Sequence, residues 1–188
     1  MKRALRDFLL GLAYRDGTGK AHVGAVDLYA NCLLIEGGVR PAFMVQSVDY
    51  GSSGDGLDMA EFIVNEMMKG GFRSAPSSQG IIVFTDTMSS TIRPMVSKYD
   101  KNGSDKLMGR ILGYPAWDDF PGSDRSKPRL GFSWEVKLRG YAGYHQVMAN
   151  VFRDMGLIHE MEELASKMAD HLEPKGFEVF TKLRKMPR

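Results

Sequence analysis

Two acidic residues stand where the strands of an open sheet commonly deliver their ligand-binding groups. Asp49 closes the apolar stretch 41–50, and Asp86 follows the short apolar run 80–84. If both stretches are parallel strands, the two carboxylates emerge at one carboxyl edge, where open α/β sheets bind ligands. There they could hold a divalent cation, act as general acid and base, or accept ligand hydroxyls. Thr87 and Ser89 follow Asp86 and offer hydroxyl donors beside it. Between the two stretches lie Gly51, Ser52, Ser53 and Gly54, directly before an expected helix. A glycine-rich turn entering a helix presents free backbone N–H groups and the positive end of the helix dipole, which suits an anion. The spacing matches neither G-x-G-x-x-G nor a triphosphate loop ending in Lys-Ser/Thr. The plainer reading makes Asp58 a helix cap and Asp86 a cap for the segment after it.

His145 stands beside Tyr144 at the start of another expected helix and is the third catalytic candidate. The four histidines and Cys32 show no zinc spacing. The stretch from Asp100 to Asp105 begins like a calcium loop, but its sixth position is Asp105 where glycine is needed and its twelfth is Ile111 where Glu is needed. It reads as a turn and a helix cap, so no metal ligand is assigned there, and the cofactor is unknown from the residues. A separate set, Trp117, Phe120, Arg125 and Arg129, combines aromatic and arginine side chains in one long loop, the types that dominate interface hot spots and base stacking. Asp118, Asp119 and Asp124 in the same loop weaken the nucleic-acid version.

The elements that must position these residues follow from hydrophobic period. Leu5, Phe8, Leu9 and Leu12 line one helix face. Residues 21–38 read as a helix closed by Gly37 and Gly38, although residues 32–35 would equally suit a buried strand. Residues 41–86 read as strand, helix, strand. Asp58 caps the helix, Met59, Phe62, Ile63 and Met67 form its buried stripe, and a right-handed crossover returns the chain to a strand covered on both faces. A Ser/Pro-rich loop precedes that last strand. Leu107, Met108, Ile111 and Leu112 make a short helix stopped by Gly113. Residues 130–138 alternate strictly, so Trp134 is expected in the core and Glu135, Lys137 and Arg139 in water. Tyr141, Tyr144, Met148, Val151, Phe152 and Met155 suggest a helix, Ile158 to Leu172 a second, and Phe177 to Leu183 a final strand. The fold class is α+β: a single domain over residues 1–188 with a mixed sheet of four or five strands, flanked by helices and containing one βαβ unit. The alternative is a three-layer α/β arrangement.

Composition agrees. At 188 residues, 43% hydrophobic and 26% charged, the chain has ordinary globular usage for one core. No run approaches the ~18 apolar residues of a membrane span, and one cysteine excludes an internal disulfide and fits a reducing, cytoplasmic compartment. The net charge of +2 is unevenly spread, with +3 over residues 1–20 and +4 over residues 175–188 against a mildly acidic body. The expected function is a pocket for a small anion, phosphate-bearing or nucleotide-like, at the 51–58 and 86–90 loops, with enzymatic activity left open. The alternative is a non-catalytic module that grips a protein or nucleic acid with the 117–129 loop and the basic ends.

Overall fold

The computed structural model describes residues 1–12, 25–46, 55–115, 130–141, 143–152 and 155–185. Among the described residues six α-helices, α1 (Arg3–Leu12), α2 (Ala25–Glu36), α3 (Asp55–Lys69), α4 (Ser89–Asn102), α5 (Asp105–Leu112) and α6 (Ile158–Leu172), pack around six strands. The strands are β1 (Ala42–Val45), β2 (Phe72–Ser77), β3 (Gly80–Thr85), β4 (Leu130–Leu138), β5 (His145–Phe152) and β6 (Phe177–Lys185). The α+β class stands. The expected single sheet does not: the strands form two antiparallel three-stranded sheets, ordered β1-β3-β2 and β5-β4-β6.

The βαβ unit is corrected in the same way. β1 and β3 run antiparallel, with Ala42 opposite Phe84 and Val45 opposite Ile81. The strand parallel to β1 is β2, in the stretch expected as a Ser/Pro-rich loop, and β3 lies between them. Pro76 is tolerated there because β2 is an edge strand. A two-residue turn, with Ser77 opposite Gly80, joins β2 to β3. Gly80 is required, since a Cβ would sit 2.6 Å from the Val45 carbonyl oxygen.

The first sheet is covered on both faces, as the unbroken apolar run in β3 implied. Phe43, Val45, Phe72 and Val83 face α2 and α3, while Ala42, Ala75, Ile82 and Phe84 face α4 and α5. α2 contributes eight buried apolar side chains on every side of its axis, from Val26 to Ile35, and the buried Asn31. A helix apolar all round is a core helix, and that is why its sequence also resembled a strand. The larger cluster runs from the first sheet through α2 to β4, β5 and α6.

Other expectations shift in detail. α3 begins at Asp55, so Asp58 lies inside its first turn and is not the N-cap. Its buried face is Ala60, Ile63, Val64 and Met67, while Met59 and Phe62 are 41% and 45% exposed. α4 was hidden by its hydroxyl-rich start and by Pro94, yet Ile92, Val96 and Tyr99 give it a buried face. Ser104 caps α5 by accepting the Leu107 N–H, so the 100–105 stretch is the expected turn and cap.

Residues 145–152 form a strand and not the expected helix. Trp134 pairs with Met148 and Glu135 with Gln146, which leaves Val147 as the extra residue of a β-bulge. The bulge breaks the period-two alternation and let a helical spacing be read through it. β4 keeps its alternation and Trp134 is fully buried. Glu135 stays on the opposite face as the alternation requires, but it is buried there and paired with Lys182, not in water as expected.

Phe84→Ala should destabilise the protein by about 3–5 kcal/mol in urea unfolding, the range for emptying a well-packed aromatic site. Phe62→Ala should cost under about 1 kcal/mol. Equal costs would contradict the assignment of the buried face of α3.

Candidate functional site

Arg40 follows α2 and is 3% exposed, a guanidinium withdrawn from water. A buried charge persists only where its hydrogen bonds are met. Arg40 donates from Nε and Nη2 to the Leu112 carbonyl oxygen, at 3.2 and 3.1 Å. From Nη1 it donates to the Val147 carbonyl oxygen at 3.1 Å and to Asn31 Oδ1. These acceptors are available for identifiable reasons. Leu112 ends α5, where carbonyls lack intrahelical partners. Val147 is the bulged residue of β5 and has no ladder partner in β4. Gly113, at φ +75°, turns the chain out of α5, and a Cβ there would lie 2.5 Å from Pro41 Cδ. Glycine thus lets the end of α5 approach Arg40.

Beside this cluster lies a cavity of about 420 Å³, walled by β1 and its successor Gln46 on one side and by residues 146–149 of β5 on the other. Asp27, Asn31 and Arg40 contribute from α2 and its exit, and Tyr114 from beyond α5. Tyr114 is itself held edge-on to Trp134, with ring centroids 6.5 Å apart. Burial pushes the pKa of Arg40 down to about 10, so the group is still a cation at neutral pH. A guanidinium has five N–H donors, and the four bonds above leave one Nη2–H. Among the described residues, its bonded acceptors are all neutral oxygens. A second cavity, of about 450 Å³, lies between α3 and the β2–β3 hairpin; Glu61 is its only charged wall residue among the described residues.

The expected site residues fall in three groups. Asp86 lies at the end of β3 and opens a short 3-10 turn, but its side chain is 71% exposed and pairs with Arg73 Nε at 2.7 Å. It makes no side-chain cap bond to the backbone N–H groups that follow. Thr87 and Ser89 are nearby and engaged locally: the Thr85 and Thr87 hydroxyl oxygens are 2.9 Å apart, and Ser89 Oγ accepts from Arg93 Nε at 3.1 Å. His145 is buried in the other sheet, opposite Val136 on the core-facing side of β4. Neither Asp86 nor His145 lines the inter-sheet cavity. Asp49, Gly51, Ser52, Ser53, Gly54, Trp117, Phe120, Arg125 and Arg129 lie outside the described residues. A shared edge with Asp86 required β1 and β3 to be parallel, and the antiparallel register sends the end of β1 to the opposite end of the sheet from Asp86.

Among the described residues no group of three or more His, Cys, Asp or Glu could hold a metal ion, and no helix is long and apolar enough to cross a membrane. Cys32 is fully buried and its thiol pKa is pushed up by desolvation, which suits an inert core residue. Sequence reasoning missed Arg40. Its one local signal was position: a lone cation between the Gly37-Gly38 helix stop and Pro41, flanked by apolar stretches on both sides. No protein-family model matches the chain, and no curated protein or solved structure matches it significantly.

Arg40→Met should lower stability by at least about 2 kcal/mol, because it leaves buried acceptors on Asn31, Leu112 and Val147 without a donor. Asp86→Asn should change it by less than about 1 kcal/mol, since exposed ion pairs contribute little. Chemical denaturation of both variants beside the parent checks the contrast.

Proposed function

We propose that the chain is a small-ligand-binding domain whose inter-sheet cavity takes a small anion against Arg40. The observation that supports this is the buried guanidinium itself: among the described residues its bonded partners are neutral and one N–H is uncommitted, and the cavity has room for a ligand of several heavy atoms. Pockets that bind small molecules combine an apolar wall with a few placed polar groups. Here Phe43, Leu112 and Met148 supply the former, and the Gln46 and Gln146 amides stand on facing walls. Asp27 shares the cavity and sets a limit on charge. A monoanion, or a zwitterion whose amine turns toward Asp27, fits better than a triphosphate. A phosphate monoester carries about −1.5 to −2 charge at pH 7, so the nucleotide-like ligand expected from the glycine-rich stretch is retained only as a monophosphate, at the upper limit of charge this cavity suits.

Thermal-shift and calorimetric titration with acetate, a small amino acid, inorganic phosphate, a nucleoside monophosphate and a nucleoside triphosphate test it. A monoanion or zwitterion at 100 times its Kd should add ~2.7 kcal/mol to stability. Ala149→Leu, which narrows the cavity without touching Arg40, should remove that gain and leave the fold intact. No stabilisation of the parent by any member of the panel at millimolar concentration would defeat the reading. So would equal stabilisation of the parent and of Ala149→Leu.

A further inference from the structure

β6 is nine residues long, pairs with β4 along its whole length and is the last strand of its sheet. No described strand occupies its other edge. From Thr181 onward every residue of β6 is exposed. Leu183 is 48% exposed although it lies opposite Phe132, on the face that carries the core. A long open edge with an uncovered leucine invites pairing unless its charges forbid it.

The charges of β6 do not forbid pairing with a copy of itself. In an antiparallel pair with Thr181 opposite Thr181, residues whose numbers sit symmetrically about 181 face each other on the same side of the sheet. Glu178 then meets Arg184, Phe180 meets Lys182, and Val179 meets Leu183. Opposite charges, an aromatic ring with a cation, and two apolar side chains are each favourable cross-strand pairs. The outer face already shows the second kind of contact within one chain, where the Lys137 and Lys182 ammonium groups lie 5.8 Å from the Tyr144 ring centre and Tyr144 packs edge-on to Phe180. Neighbouring registers are poorer. Centring on Lys182 sets that cation against its own copy. Centring on Phe180 asks Lys182, already held by Glu135, to pair with Glu178, and leaves Arg184 beyond the exchange.

We propose that β6 is the seam of a two-fold dimer of this chain, joined in the register centred on Thr181 so that two three-stranded sheets become one of six strands. The two-fold axis is perpendicular to the sheet, so the core-facing sides of the two copies continue each other and Leu183 is covered by Val179 of the second copy. The contact is isologous and closes on itself, as dimer symmetry requires. It is independent of the cavity beside Arg40.

Sedimentation and light scattering on the full chain should give twice the 21.0 kDa mass at micromolar to millimolar concentration. Arg184→Glu sets two carboxylates against each other at both ends of the seam and should weaken association by at least about tenfold. Glu178→Arg combined with Arg184→Glu should restore it. Thr181→Cys should cross-link to its own copy under mild oxidation, with Cys32 buried and silent. Circular dichroism and urea unfolding confirm that each variant is folded. A monomeric parent across that range would overturn the proposal and make the β6 charges a guard against pairing. A dimer unaffected by Arg184→Glu, or one that the double variant fails to restore, would overturn it equally.

Discussion

A guanidinium removed from water must be surrounded by oxygen, and much of the arrangement described above meets that demand. Arg40 draws its acceptors from three elements far apart in the chain: Asn31 on α2, Leu112 at the end of α5 and Val147 in β5. Asn31 offers a side-chain oxygen, and the other two elements expose a carbonyl through a local defect. α5 ends, β5 bulges, and Gly113 lets the end of α5 come close. The cost of burying the charge is offset only if all three are in place together. Arg40 therefore works as a positional check on the junction of the two sheets.

α2 is the second constraint. It is enclosed on all sides, with the first sheet, α1, α6 and the β4–β5 hairpin against it. Its exit at Gly37 is tied down from across the core, where His171 Nε2 lies 2.9 Å from the Leu33 carbonyl oxygen and the His171 ring fills the space a side chain at 37 would need. Rigid surroundings on this scale hold a cavity open and place its polar groups, which is what a preorganised binding site requires. The loops at the Asp86 end of the first sheet offer no comparable setting, because their hydroxyls and carboxylate are exposed and satisfied by neighbours.

The outer face of the second sheet shows a different economy of charge. Glu135 sits in the middle strand and is covered enough to need a partner, which Lys182 supplies from β6. Tyr144 and Phe180 then shelter the pair from the side. Strict alternation would have sent Glu135 to water. The structure keeps the alternation and buries the residue under its cross-strand neighbours.

The sequence by itself determined the elements whose signal is local. α1, α5, α6, β4 and β6 follow from hydrophobic period and from Ser, Gly and Pro punctuation, and the burial of β3 on both faces follows from its unbroken apolar run. Trp134 was placed in the core by alternation alone. Tertiary structure decided the rest. Whether β1 and β3 run parallel depends on β2, which takes the parallel place at the edge and returns the chain as β3 between itself and β1, and nothing within β1 or β3 encodes that. Residues 145–152 carry a bulge, and a bulge is defined only against its partner strand. Arg40 could not be distinguished from a surface arginine in the sequence, because its burial depends on carbonyls that lie 72 and 107 positions away. A periodic pattern reports on one element and the solvent beside it, whereas a buried charge reports on the meeting of several.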